Sequence, residues 1–148
     1  MIASAQTLRR KRPVYPFEER QTFHGMTYGL GPAGYDLRIA EELTLWQTGF
    51  VLASCMEKFE MPSDLLGVVH DKSTWARLGL AVQNTVIEPG WRGFLTIELS
   101  NHSNQILVIK KGMPICQVIF HILDEPTEDP YEGKYQDQKE GAQQPILE

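Results

Sequence analysis

The chain predicts a mainly β fold, a sandwich or barrel with one short helix, and three observations predict it. Short runs rich in Val, Ile, Leu, Thr and aromatic residues recur between turn signals from Tyr35 onward. Several of these runs alternate apolar and polar residues, the two-residue period of a half-buried strand. Within that region one stretch, Ser73 to Leu78, carries helix punctuation, with cap-type Asp71, Ser73 and Thr74 ahead of it and Gly79 as a stop.

Length and composition bound the rest. At 148 residues the chain is one domain with room for a real core but not for two. A net charge of -5 argues against a broad nucleic-acid-binding surface, and the one basic block, Arg9 to Arg12, is explained by a solvated arm. No apolar run approaches membrane-spanning length and the N-terminus lacks a long apolar core, so the expectation is a cytoplasmic protein without membrane contact. Cys55 and Cys116 stand alone, outside any metal-ligand spacing, and fit a reducing interior better than a disulfide.

In chain order, residues 1–33 are broken by Pro13, Pro16, Gly25, Gly29, Gly31 and Pro32 and are expected to form an N-terminal arm with one short element. Residues 34–123 form the expected core. Its strand-like runs are Tyr35 to Ile39, Leu43 to Leu45, Gly49 to Ser54, Met56 to Glu60, Leu65 to His70, Leu80 to Gln83, Phe94 to Ser100, Gln105 to Ile109 and Pro114 to Ile122. Residues 124–148 are acidic, proline-broken and glycine-hinged, a composition that builds no core of its own. Such a tail can instead close over a ligand, with Lys134 and Gln138 reaching an anion and Tyr131 or Tyr135 covering it.

Two stretches carry chemistry. Around the short helix, Lys72 places a cation beside the hydroxyls of Ser73 and Thr74, and Arg77 follows one turn later. Unpaired amide donors and the positive end of the helix dipole coincide there, a usual arrangement for holding phosphate; the plainer reading is a capped surface helix. Downstream, strand alternation puts Leu95, Ile97 and Leu99 on one face and Phe94, Thr96 and Glu98 on the other. A carboxylate on a covered face loses water, its pKa rises, and it becomes suited to moving protons near neutrality. On an open face it is an ordinary solvated residue. The four histidines lie scattered, without carboxylate neighbours at ligand spacing.

In this order the motifs resemble those of the deoxycytidine triphosphate deaminases, within the wider group that includes the trimeric dUTPases. The resemblance runs from about Val14 to Gln138. It rests on Pro16-Phe17-Glu18, Gly34-Tyr35-Asp36-Leu37-Arg38, Lys72 to Gly79, Ile87-Glu88-Pro89-Gly90-Trp91-Arg92-Gly93, Leu95 to Leu99, Gly112-Met113 with Gln117 and Phe120, and Tyr131, Gly133-Lys134-Tyr135 and Gln138. It implies a distorted β-barrel or jelly-roll subunit of the dUTPase-like type, in a homotrimer whose active sites lie between subunits. By the same resemblance Glu98 is the catalytic base, Ser73 lies near the triphosphate and the reaction centre, and Arg77 positions the glutamate. Lys72 and Thr74 replace an arginine and a serine of the family, Glu88 stands where an aspartate contacts the deoxyribose, and Trp91 covers the sugar. Gln117, Tyr131, Lys134 and Gln138 complete the binding set.

The reaction so implied is hydrolytic deamination of dCTP, or of a 5-substituted dCTP, to the matching dUTP or dTTP and ammonia. It needs no catalytic metal, since the HxE and PCxxC signatures of zinc deaminases are absent; Mg²⁺ is expected as the triphosphate's counter-ion. One departure from the family is a shorter connection through Gln83-Asn84-Thr85-Val86, where Asn84 or Thr85 would take over placing the base. Two other functions remain open at this point. A dUTPase, or a bifunctional enzyme, is favoured by the Gly34-Tyr35-Asp36-Leu37 motif and by Glu88; a non-catalytic nucleotide-binding trimer would keep the fold alone.

Overall fold

The computed structural model describes residues 1–147. Helix α1 spans Ala5–Lys11, and twelve strands follow, with a second helix, α2, at Ser73–Ala76. The strands are β1 (Val14–Tyr15), β2 (Gln21–Phe23), β3 (Met26–Gly31), β4 (Gly34–Arg38), β5 (Leu43–Leu45), β6 (Phe50–Glu60), β7 (Leu65–Asp71), β8 (Leu80–Val82), β9 (Val86–Ile87), β10 (Arg92–Asn101), β11 (Leu107–Ile109) and β12 (Pro114–Ile122). Strands hold 46% of the chain and helices 7%, so the mainly β expectation stands.

A six-stranded sheet in the order β2-β3-β4-β12-β7-β9 faces a four-stranded sheet in the order β1-β6-β10-β8, and β5 pairs with β11 as a small flap. All strand pairs among these are antiparallel. The interior is built from strand alternation. On β10, Leu95, Ile97 and Leu99 are buried while Phe94, Thr96 and Glu98 keep partial exposure, the division the sequence pattern requires. Leu37, Leu65, Ile115, Val118 and Phe120 fill the same core from the other sheet. Hydrophobic burial on one face of each sheet fixes the register, because a slip of one residue would turn Glu98 inward and Ile97 outward.

Among the described residues one fully buried charge, Glu57, breaks the apolar interior. Glu57 accepts from the backbone N–H of Arg38 at 3.1 Å and from its guanidinium Nε at 2.9 Å, and that guanidinium lies 4.5 Å over the Tyr28 ring. Burial pushes the Glu57 carboxyl up, and Arg38 opposes that shift.

Three expectations about elements change. Residues 1–33 are not an arm with one short element: α1 and three strands lie there, and Leu8 and Ala3 are completely buried. The helix is held by the Ser4 cap and by Ala5 N–H donating to the Pro32 carbonyl at 2.9 Å, so the basic block runs along a packed helix. The two runs on either side of Cys55 form the single long strand β6, since nothing between them demands a turn. Helix α2 ends at Ala76 rather than Leu78, because the Leu78 and Gly79 amides donate three residues back, to Trp75 and Ala76, in a tightened turn before Gly79, at φ +91°, leads into β8. Both cysteines are free and buried.

Candidate active site

The site grows from β10. This strand pairs with β6 through Glu98 opposite Leu52 and Thr96 opposite Ser54, and the register shifts between Phe94 and Thr96. Such a bulge re-aims the strand locally, and here the tail crosses it. Gln138 forms a parallel bridge to Gly93, accepts from Phe94 N–H at 2.9 Å through its carbonyl, and donates from Nε2 to the Phe94 carbonyl at 2.8 Å. Gly93, at φ +144°, is what allows this pass: a Cβ there would lie 2.6 Å from the Gln138 nitrogen. Further along, Trp91 Nε1 donates to the Tyr135 carbonyl at 2.7 Å, and Tyr131 N–H donates to the Pro89 carbonyl at 2.8 Å.

Strands and tail enclose an open, mainly apolar cavity of about 630 Å³. Glu98 and Thr96 from β10, Phe50 and Leu52 from β6, and the segment Thr85 to Glu88 form its walls. Trp91, Tyr131, Tyr135 and Gln138 close it from the tail side, together with Gln143 to Pro145. Glu98 is half-buried, and its Oε2 is enclosed with no hydrogen-bond partner among the described residues. Burial raises its pKa above the ordinary carboxylate value. A carboxylate so placed is a proton acceptor with little water competing for it.

Seven of the residues singled out from sequence therefore come together in one cavity: Glu98, Thr85, Glu88, Trp91, Tyr131, Tyr135 and Gln138. The rest do not. Ser73, Thr74 and Arg77 are exposed on the α2 turn, and the side chains of Ser73 and Arg77 make no hydrogen bond among the described residues. Asn84 is exposed just outside the wall, and Gln117 sits on β12 between Asp36 and His70 in the register. Lys134 donates to the Ile146 carbonyl within the tail and lies 5.5 Å over the Tyr135 ring, outside the cavity lining.

Lys72 differs most from expectation. Its ammonium pairs with Asp36 Oδ2 at 2.7 Å and lies 3.4 Å from Thr27 Oγ1, with both charged side chains largely buried. In this arrangement the Lys72 ammonium is paired with a largely buried carboxylate, and it ties the α2 turn to β4. The signal was in the sequence only as Asp36 of the Gly34-Tyr35-Asp36 motif; their adjacency comes from β4 and β7 flanking β12.

Sequence reasoning missed Phe50, Leu52 and Val86 as walls of the site, because strand register across β6 and β10 is not local information. Among the described residues no group of three or more His, Cys, Asp or Glu side chains is placed to hold a metal ion, and no helix is long and apolar enough to cross a membrane.

Comparison with known proteins fits this geometry. A family profile described as dCTP deaminase-like matches residues 37–123. A dCTP deaminase of Acidobacterium capsulatum is 32% identical over an alignment that covers 87% of this chain and 88% of the relative. The crystal structure of the 2'-deoxycytidine 5'-triphosphate deaminase of Agrobacterium tumefaciens superposes with a TM-score of 0.66 at 16% identity, covering 82% of this chain and 48% of that one. A mutant dUTPase from phage phi11 of S. aureus, described for its coordination of a structural Mg(II) ion, superposes with a TM-score of 0.58 at 16% identity, covering 80% of this chain and 92% of that one. The two structures show a shared fold.

Proposed function

The chain belongs to the dCTP deaminase-like family, and we propose that it hydrolyses dCTP to dUTP and ammonia, with Glu98 as the base. The observation that carries this reading is the half-buried Glu98 carboxylate, raised in pKa and unpartnered at Oε2, facing an apolar cavity large enough for a nucleoside. Cytosine enters with C4 beside Glu98. The carboxylate takes a proton from water as the water oxygen bonds to C4 and passes it to N3; it then carries the remaining hydroxyl proton to N4 as the C4–N4 bond breaks, leaving the C4 carbonyl and ammonia. Trp91 and Tyr131 cover the sugar, Glu88 meets its hydroxyl, and the backbone at Thr85 faces the polar edge of the base.

Ser73 and Arg77 complete the site from a second copy of the chain. What supports this is their position: they are exposed and, among the described residues, free of side-chain partners on the α2 turn, outside the cavity that holds Glu98. A homotrimer with sites between subunits satisfies both halves, the arginine orienting Glu98 and the hydroxyls of Ser73 and Thr74 meeting the phosphates. Gln117 supports that turn through β12. Asn84 flanks the base, and Lys134 and Gln138 bring the tail over the triphosphate. Mg²⁺ accompanies the substrate as its counter-ion, and no step passes through it. Two buried free thiols suit a reducing cytoplasm.

Glu88 favours a second reading, hydrolysis of dUTP to dUMP and pyrophosphate, because this exposed carboxylate lines the same cavity. Products separate the two. The protein is incubated with Mg²⁺ and dCTP or dUTP, and nucleotides are identified by mass spectrometry. We expect dUTP from dCTP; a monophosphate from dUTP with no deamination would overturn the assignment of Glu98.

A further inference from the structure

We propose that the cavity wall beside Glu98 accepts a substituent on C5 of the cytosine ring, so that 5-methyl-dCTP is deaminated alongside dCTP, with Leu52 setting the room at C5. This rests on the deaminase reading and deepens it. Leu52 lies directly across from Glu98 in the β6–β10 register, and Phe50 follows on the same face opposite Ser100. Both line the cavity, and Val86 lines it from β9. The wall next to Glu98 on the β6 side is thus aliphatic and aromatic.

The base can turn only one edge to that wall. O2, N3 and the C4 amine of cytosine all need hydrogen-bond partners, and placing them against Leu52 and Phe50 would leave polar atoms unpaired at a cost of about 1–3 kcal/mol each. The C5–C6 edge carries only C–H groups and lies against apolar side chains without penalty. C4, the carbon attacked beside Glu98, adjoins C5. A group on C5 therefore projects toward the residue flanking Glu98 on β6, which is Leu52.

Space is available there. In the single chain Phe50 is 61% exposed and Val86 52% exposed, so the described residues leave both walls of the opening largely uncovered. A methyl fills roughly the share of one water, about 30 Å³, within a cavity of about 630 Å³. On β6 the two lining residues of this wall, Phe50 and Leu52, are both apolar, so a methyl laid against them desolvates no polar side chain of that strand. The chemistry balances as before: water adds at C4, the C4–N4 bond breaks, and 5-methyl-dCTP gives dTTP and ammonia.

The test measures kcat/KM for dCTP and for 5-methyl-dCTP, with products identified as dUTP and dTTP, on the wild-type protein and on Leu52→Phe and Leu52→Val. We expect the wild type to use the two nucleotides within about fivefold of each other. Leu52→Phe, which fills the space, should lower the 5-methyl-dCTP to dCTP ratio by tenfold or more, the scale of one methylene in an apolar pocket, and Leu52→Val should leave that ratio level or raise it. Turnover of dCTP with 5-methyl-dCTP used a hundredfold less efficiently by the wild type would overturn this inference and leave the deaminase reading standing. No product from either nucleotide would remove both. The wild-type ratio decides the matter even where Leu52→Phe does not fold.

Discussion

Replacing Glu98 by glutamine removes the proton acceptor while keeping the shape of the side chain. Among the described residues the cavity offers one other carboxylate, Glu88, which lies on the segment ahead of Trp91 and not on β10, and the remaining polar lining is hydroxyl, amide and indole. No group next to Glu98 can take over its proton transfer. Turnover should therefore fall by ~10²-fold or more, about 2.7 kcal/mol of transition-state stabilisation. A carboxamide fills the same volume beside Leu52 and Thr96, so the Kd for dCTP, measured by calorimetry, should stay within about threefold. Glu98→Asp keeps the charge but withdraws it by one methylene; a misplacement of that size should cost about 10²-fold as well. Because burial raises the Glu98 pKa and the base acts ionised, kcat/KM of the wild type should fall as pH drops through a value above the ordinary carboxylate range. The assay is release of ammonia from dCTP across pH, with dUTP identified as product. Glu98→Gln turning over within tenfold of wild type would refute the assignment, and an acid limb at the value of a free glutamate would refute the account of its environment.

Further expectations concern the subunit arrangement, the buried ion pair and the tail. Glu98→Gln and Arg77→Ala, each inactive, should regain about a quarter of wild-type activity when unfolded and refolded together one to one, because about a quarter of all sites would combine an intact Glu98 with an intact Arg77 from different chains; no recovery would place both residues in one subunit's site. Arg38→Met leaves the fully buried Glu57 without its partner and should cost about 3 kcal/mol or more in urea unfolding. Since the folded-state pKa of Glu57 is raised, the stability tied to its protonated form is present at acid pH and lost as pH rises through the folded value, so the deficit should be larger near about pH 8 than near about pH 5; equal deficits would contradict this. Gly93→Ala forces a Cβ to within 2.6 Å of the Gln138 nitrogen at a φ that side chains rarely adopt. It should speed hydrogen exchange at Asp137, whose N–H donates to the Arg92 carbonyl, and raise KM for dCTP several-fold; unchanged exchange would mean that the tail is held elsewhere.

The residues of β10 show how much was legible locally. Alternation from Phe94 to Leu99 was enough to put Glu98 on the face away from the core, since side chains of a strand point to opposite sides whatever the strand pairs with. The strand runs from Leu65, Leu80 and Pro114 were readable for the same reason, as was the stop at Gly79. The N-terminal stretch was not. Its prolines and glycines punctuate short elements that are stable only because Leu8 and Ala3 find an apolar partner in the body of the protein, and propensity holds no record of that contact.

The sequence by itself determined which chemical groups the chain carries and which face of each strand they occupy, because both depend on residue identity and on a period of two. Tertiary structure alone decided which groups meet. Lys72, a free cation by its neighbours in the chain, is bound to Asp36 because β7, which ends just before Lys72, and β4, which carries Asp36, both flank β12, and Leu52 stands beside Glu98 because β6 and β10 pair in one register. The tail reaches the cavity because Gly93 lacks a side chain where Gln138 crosses. Such adjacency is set by packing across distant segments, which no local pattern encodes.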